Sequence, residues 1–321
     1  MPARKVPIGS GVDVDAVPGR LINGLGSYGD DNSLTVISRG VFAGEVGVPR
    51  LLKLLKRYNI TSTWFIPGHS LETFPKQMEA VRDAGPEIGL HGYSHENPAE
   101  LSIEQERDIL NHTYKLLTDF NNGLPLEMKR RTWWGTSKEG TNLLVDEGIV
   151  YDHSSMGHDC KAYYLTDEDQ WYKIDYAQRA ETGMKPLVNG KEPDWFDFQR
   201  AGHANHLVSI RFVKTMPNSH GWVSPLDVEQ LWKDIFTYHY REEEEFIVPT
   251  TIHPDVSGRP HVLFMLERFI EWINTHTHVH WVPFVKRVDD FQSKNRPAAT
   301  AKMANLKEDQ DHFDAWLRRF Q

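Results

Sequence analysis

The sequence predicts an α/β fold with a largely parallel sheet, and three observations predict it. Short β-rich runs alternate with amphipathic helical patterns along most of the chain. Residues able to do chemistry fall where apolar runs end: Asp13 and Asp15, then His91 with His95, then His253. No internal repeat or low-complexity linker splits the 321 residues, so a single large domain is expected.

The first apolar run ends in GVDVDAV (11–17). VPRLLKLLKRY (48–58) has the spacing of an amphipathic helix, and TSTWFI (61–66) that of a strand. A helix over ETFPKQMEAVRDAG (72–85), a strand over EIGLH (87–91) and a helix over IEQERDILNHTYKLLTDF (103–120) follow. IVYDH (149–153) reads as a strand, and the Pro-, Gly- and aromatic-rich stretch 155–224 as long loops with a few strands. In a barrel, loops of that size belong over the active-site face. VEQLWKDIFTYHY (228–240) is helical, FIVPTTI (246–252) a strand, and HVHWVP (278–283) the last strand. In the helix VLFMLERFIEWINTH (262–276), Leu263, Leu266, Ile270 and Ile273 recur as one buried stripe. The extension 293–321 ends in a helical pattern, LKEDQDHFDAWLRRF, suited to docking outside the barrel or on a partner subunit. Strand–helix alternation implies parallel pairing through right-handed crossovers.

Composition narrows the function. Hydrophobic residues are 39% and charged residues 25%, ordinary for a globular enzyme, and a net charge of -9 argues against a nucleic-acid partner. No apolar stretch has the length to span a bilayer, and no apolar run follows MPARKVPIGSG, so no secretory signal is read. The single cysteine, Cys160, excludes an internal disulfide, lacks the surroundings of a nucleophile, and fits a reducing compartment. A cytoplasmic location is expected.

In GVDVD, strand alternation points Asp13 and Asp15 the same way. EIGLH ends at His91, at the C-terminal strand end where α/β sheets build their sites, and a helical turn through HGYSH would bring His95 to the same side. Two imidazoles and one carboxylate leave a position open for water, as in catalytic rather than structural zinc. The other aspartate is then free to act as a base. Taken singly, each feature has a plainer reading: Asp-x-Asp as half-buried hydrogen bonding, and His pairs at i, i+4 as chance among 16 histidines. Their joint placement at strand ends favours a metal centre. The run HTHVHW (276–281) sets His276, His278 and His280 on one strand face, but away from these motifs it reads as a solvated edge or subunit contact.

FIVPTTIHPDVSGRP (246–260) adds His253 at the end of another strand. With it, GVDVDAV, SRGVFAGEVGVPRLLKLLKRYNITSTWFIPGHS and EIGLHGYSHENP make the chain resemble the polysaccharide deacetylase family (NodB homology), in its branch of peptidoglycan deacetylases and bacterial cyclic imidases, over about residues 8–292. The resemblance implies a distorted (β/α) barrel and assigns Asp13 as general base, Asp15, His91 and His95 as ligands of Zn²⁺ or another divalent transition metal, and His253 as general acid. It also implies a homodimer or homotetramer. The sequence departs from the family in MKRRTWWGTSKEG (128–140), with Thr132 where the branch commonly has Pro. There Trp133 and Trp134 would wall the substrate pocket, Trp133 reading equally well as core, and Arg131 or Arg130 would orient Asp13. His220, in PNSHGW (217–222), is a weaker pocket residue.

The reading is a metal-dependent hydrolase of non-peptide carbon–nitrogen bonds acting on a small amide or cyclic imide. The alternative is N-deacetylation of peptidoglycan or chitin-like amino sugars. A two-His-one-carboxylate iron oxygenase shares the ligand types, but there the carboxylate follows the first histidine closely. A catalytically dead binding protein is disfavoured by the joint presence of Asp13 and His253.

Overall fold

The structure is a computed structural model that describes residues 5–18, 34–126, 128–129, 137, 140–154, 157–164, 169–188, 190, 196–198 and 223–295. Strand β1 (Val6–Asp13) is buried at every residue, as expected of a central strand covered on both faces. One of its edges carries β8 (Val248–Ile252), in register from Ile8↔Val248 to Val12↔Ile252. The other edge is shared. β9 (Val279–Val282) takes its first half and β2 (Thr63–Ile66) its last three residues, Gly11↔Thr63 to Asp13↔Phe65. From β2 the parallel sheet continues through β3 (Glu87–Leu90), β4 (Met128–Lys129), β5 (Tyr151–Asp152) and β7 (Phe196–Phe198), with β6 (Ala162–Tyr164) antiparallel at the far end. The two ends of the order meet where Ile247 N–H, just before β8, donates to the Cys160 carbonyl, just before β6, at 2.9 Å. Among the described residues the barrel thus closes through this backbone bond rather than a paired strand, which makes it a distorted one.

Alternation along the strands sorts side chains into two cores. Ile8 and Val12 of β1, Trp64 and Ile66 of β2, and Ile88 and Leu90 of β3 pack outward under the helices. Phe65, Tyr151, Ile247, Phe284, Val285 and Val288 form a separate cluster inside the barrel. Phe284 fills the space beside Gly9 and Gly11: a Cβ at Gly9 would lie 2.4 Å from its ring, and one at Gly11 2.9 Å. A buried carboxyl ties this plug to the sheet. Glu87 accepts from the Thr63 hydroxyl (2.6 Å), the Val285 N–H (3.2 Å) and the Tyr151 hydroxyl, and Thr63 Oγ1 accepts from the Phe284 N–H at 2.9 Å. Burial pushes the Glu87 carboxyl up to about 7, with these three hydrogen bonds opposing the rise.

The helices follow the expected pattern with instructive differences. Ile103–Phe120 begins at a capping box between Ser102 and Gln105. Pro225–Glu242 starts with Ser224 as cap and Pro at its first position; of REEEEF (241–246), expected as a solvated helix end, only Arg241 and Glu242 are helical, and Phe246 is buried in the core. The single helix expected over 72–85 is instead two, Gly68–Thr73 and Pro75–Asp83, broken at Phe74 (φ -127, ψ 55). The ring of Pro75 disfavours helical backbone at the residue before it. In helix Pro260–Ile273 the buried stripe is Val262, Met265, Leu266, Phe269, Ile270 and Ile273, while Leu263 is only half-buried. His276 and His278 precede β9 rather than lie in it, and His278 has φ 68, so the three histidines do not share a strand face. Helices Leu34–Phe42, Gly140–Asp146 and Val285–Lys294, and a π-helical turn Ala43–Gly47, were not expected. Leu34–Phe42 and Gly140–Asp146 contain glycine and half of Val285–Lys294 is charged, so propensity hides them. The expected C-terminal helix lies outside the described residues.

Candidate metal centre

β1 delivers the two carboxylates. Asp13 is its last residue, and Val14 N–H extends the pairing by donating to the Phe65 carbonyl at 2.9 Å. The chain then tightens: the Val14 carbonyl accepts from Ala16 N–H and from the Ser70 hydroxyl, each at 2.8 Å. Asp15 sits in that turn. Both carboxyls are buried, Asp13 at 2% and Asp15 at 5% exposure.

β3 delivers the histidines, though not by a helical turn. His91 follows directly on Leu90, and residues 91–97 form an irregular loop. Gly92 and His95 both adopt φ 64, the left-handed region, which is strained for histidine. The loop folds around the Glu96 carboxylate, which accepts from Tyr93 N–H (3.2 Å), Ser94 N–H (2.8 Å) and the Ser94 hydroxyl (3.1 Å). This turn is what carries His95 back toward His91, their rings meeting edge to face at 5.2 Å between centres.

The result is convergent. Asp15 Oδ1 lies 3.1 Å from His91 Nε2, and Asp15 Oδ2 lies 3.3 Å from His95 Nε2. One donor atom from each of the three falls within 4.8 Å of the others, and all three residues are buried. Burial alone would raise the Asp15 carboxyl, but the charges and hydrogen bonds of His95 and His91 outweigh it and hold the carboxyl well below the usual carboxylate range. Two imidazoles and a carboxylate around one point fit a divalent transition metal such as zinc. β8 adds the fifth residue. His253 follows Ile252, and its backbone N–H is fixed by the Ser257 hydroxyl at 3.1 Å. Its Nε2 lies 3.2 Å from Asp13 Oδ2 and 3.5 Å from Asp15 Oδ2.

The structure thus brings together Asp13, Asp15, His91, His95 and His253 from the C-terminal ends of three strands. Arg130, Arg131, Trp133, Trp134 and His220 lie outside the described residues. Sequence reasoning passed over a neighbouring polar group at the end of β5. His153 is fully buried, packs tilted against Phe284 (4.4 Å) and parallel to Phe65 (6.2 Å), and has Nε2 3.4 Å from the Thr251 hydroxyl. Asp152 Oδ1 accepts from His153 N–H (2.8 Å) and from the Ser154 hydroxyl (2.5 Å). The signal was available: IVYDH ends in His just as EIGLH does. Cys160 is buried with its thiol pushed up to about 12 by burial, and then by Asp159, which suits a structural residue.

Comparison with known proteins gives the family. A sequence profile described as polysaccharide deacetylase matches residues 39–126. The chain is 46% identical over 293 residues to the peptidoglycan deacetylase of Helicobacter pylori, covering 91% of this chain and 98% of that protein. It is 36% identical to a peptidoglycan deacetylase-like protein of Gibberella zeae, over 89% of this chain and 84% of the other. Among solved structures, Puue allantoinase superposes with a TM-score of 0.73 at 19% identity, over 93% of this chain and 94% of that one, a likeness of fold. With near end-to-end similarity at 46% identity, this chain belongs to the polysaccharide deacetylase family, hydrolases of carbon–nitrogen bonds other than peptide bonds.

Proposed function

We propose that the protein is a metal-dependent N-deacetylase of N-acetylated amino sugars, with Asp15, His91 and His95 holding the metal. The observation that carries this reading is the buried meeting of those three donors with Asp13 and His253 at one point of the barrel mouth. The 46% identical relative, itself a peptidoglycan deacetylase, supports the sugar over the small amide or cyclic imide that the sequence first favoured. A bound divalent ion supplies Lewis acidity and a water whose pKa is brought down to about 7. Asp13, the last residue of β1 and two residues before Asp15, would accept the proton of the attacking water at a carboxylate oxygen. His253 then gives a proton to the departing amine nitrogen. Its Nε2 lies 3.2 Å from Asp13 Oδ2, so acid and base stand side by side.

Two further elements belong to this proposal. No described helix is long and apolar enough to cross a membrane, and a cytoplasmic location would direct the enzyme to sugar fragments rather than intact wall polymer. Assembly into a homodimer or homotetramer is supported by exposed Trp171, Tyr172, Ile174, Tyr176, Leu187 and Val188, an apolar surface that a subunit contact would cover. The test is acetate release from N-acetylglucosamine oligomers and peptidoglycan fragments, beside ring opening of cyclic imides and ureides, with the bound metal quantified. Turnover of imides alone would restore the small-imide reading. Fully metal-loaded protein inert on every substrate would sink both.

A further inference from the structure

Beyond the acid histidine the chain turns through helix Pro254–Ser257 into Arg259, and this turn is clamped against the π-helical segment Ala43–Gly47. The two backbones touch: a Cβ at Gly258 would lie 2.5 Å from the Gly47 Cα, and one at Gly47 2.3 Å from the Pro254 carbonyl oxygen. Beside this contact two guanidinium groups share one aromatic ring. The Arg259 guanidinium carbon lies 3.5 Å from the centre of Phe42, and that of Arg50 lies 5.9 Å from the same centre. Arg50 Nη1 donates to the Gly258 carbonyl at 2.9 Å, and Arg259 Nε donates to the Asp255 carbonyl at 3.1 Å.

Each guanidinium therefore uses one N–H on a backbone carbonyl, out of five. Neither pairs with a carboxylate among the described residues. Arg39, in the last turn of helix Leu34–Phe42, adds a third positive charge. Burial lowers the pKa of Arg259 most; Asp255 opposes this, and the charges of Arg39 and Arg50 add to it. A local positive excess thus stands on a chain of net charge -9. Both guanidinium groups lie over the Phe42 ring, and a guanidinium with N–H groups to spare meets carboxylate or phosphate through paired hydrogen bonds. A π-helical turn at the same place is the kind of irregularity that recurs at functional sites.

We propose that Arg50 and Arg259 form an oxyanion subsite for a carboxylate or phosphate carried by the substrate. Helix Pro254–Ser257 links His253 to Arg259, and on this proposal an anion held at Arg259 is carried by the molecule whose amide faces the metal centre. The substrate part of this inference rests on the hydrolase reading; the anion site does not.

Calorimetric titration of the full chain with inorganic phosphate tests the site itself. Saturable binding is expected, weakened about tenfold in Arg50→Gln and partly kept in Arg50→Lys, which retains the charge but loses the fork. No saturable heat in the wild type, or an affinity unchanged in Arg50→Gln, overturns the site. N-acetylglucosamine, N-acetylmuramic acid and N-acetylglucosamine 6-phosphate then form a neutral, carboxylate and phosphate series for the metal-loaded enzyme. Arg50→Gln should raise KM on one acidic member about tenfold more than on the neutral sugar, and which member responds identifies the anion. An equal change on all three overturns the substrate assignment. Phosphate binding intact in a wild type that turns over nothing would strike the hydrolase reading and leave the anion site standing.

Discussion

Glu87 is a carboxyl inside a barrel, and its replacement by Gln gives a stability change that must depend on pH. Its folded pKa is raised from the ordinary 4.5 to about 7, burial being the dominant cause. Between those two pH values the folded protein binds more protons at this site than the unfolded chain, so stability falls as pH rises. The contribution is fully present below about pH 4.5 and lost above about pH 7, a difference of about 3 kcal/mol. Gln carries no charge and is close in shape, so Glu87→Gln removes the pH-dependent part. It adds a roughly constant penalty for the weaker bonds to Thr63, Tyr151 and Val285. Urea denaturation of metal-free wild type and variant at about pH 5 and about pH 8 isolates the difference, because other titrations are common to both. The expected result is that the variant gains about 3 kcal/mol relative to wild type on going from the lower to the higher pH. A wild-type-to-variant gap that stays the same at both values would refute the reasoning, since it would mean that Glu87 is ionised in the fold at ordinary cost.

Asp13→Asn should keep metal content and fold while kcat falls by about 10²–10⁴, the usual contribution of a general base; near-wild-type turnover at saturating metal would move the base elsewhere. His91→Ala should lose most of the bound metal by elemental analysis, because it removes one of three buried donors; full occupancy would sink the ligand assignment. Gly9→Ala should destabilise by about 1–3 kcal/mol by overpacking against Phe284, whose ring would lie 2.4 Å from the new methyl. Phe284→Leu in the same chain should recover part of that loss in a thermal melt. Trp171→Ser combined with Ile174→Ser should reduce the mass seen by light scattering if these exposed side chains form the subunit contact; a wild type that is already monomeric would end the assembly proposal.

Much of the fold was legible because it is local. The strand ends at Ile66, Leu90 and Ile252 and the helices Val48–Arg57 and Ile103–Phe120 follow from periodicity, caps and prolines within a few residues of each. Asp13, Asp15, His91 and His253 could be picked out by the same logic, since a parallel strand places its C-terminal residue at the functional mouth. The route by which His95 arrives could not. Spacing suggested a helical turn, whereas the loop takes two left-handed residues and winds around Glu96. Nor could the sequence reveal that Phe284 and Val285 close the barrel interior over Glu87, or that Arg259 stacks on Phe42.

What the sequence by itself determined is therefore which residues alternate, where each element stops, and which chemistry stands at those stops. Only the tertiary structure decided which of those stops meet. Thr63 and Phe284, Phe42 and Arg259, and Asp13 and His253 are brought together from more than two hundred residues apart along the chain. Backbone propensity acts over one or two turns. Contacts at that separation are selected by the net free energy of burying the whole barrel, in which each pair is stabilised by neighbours that no short stretch of sequence contains.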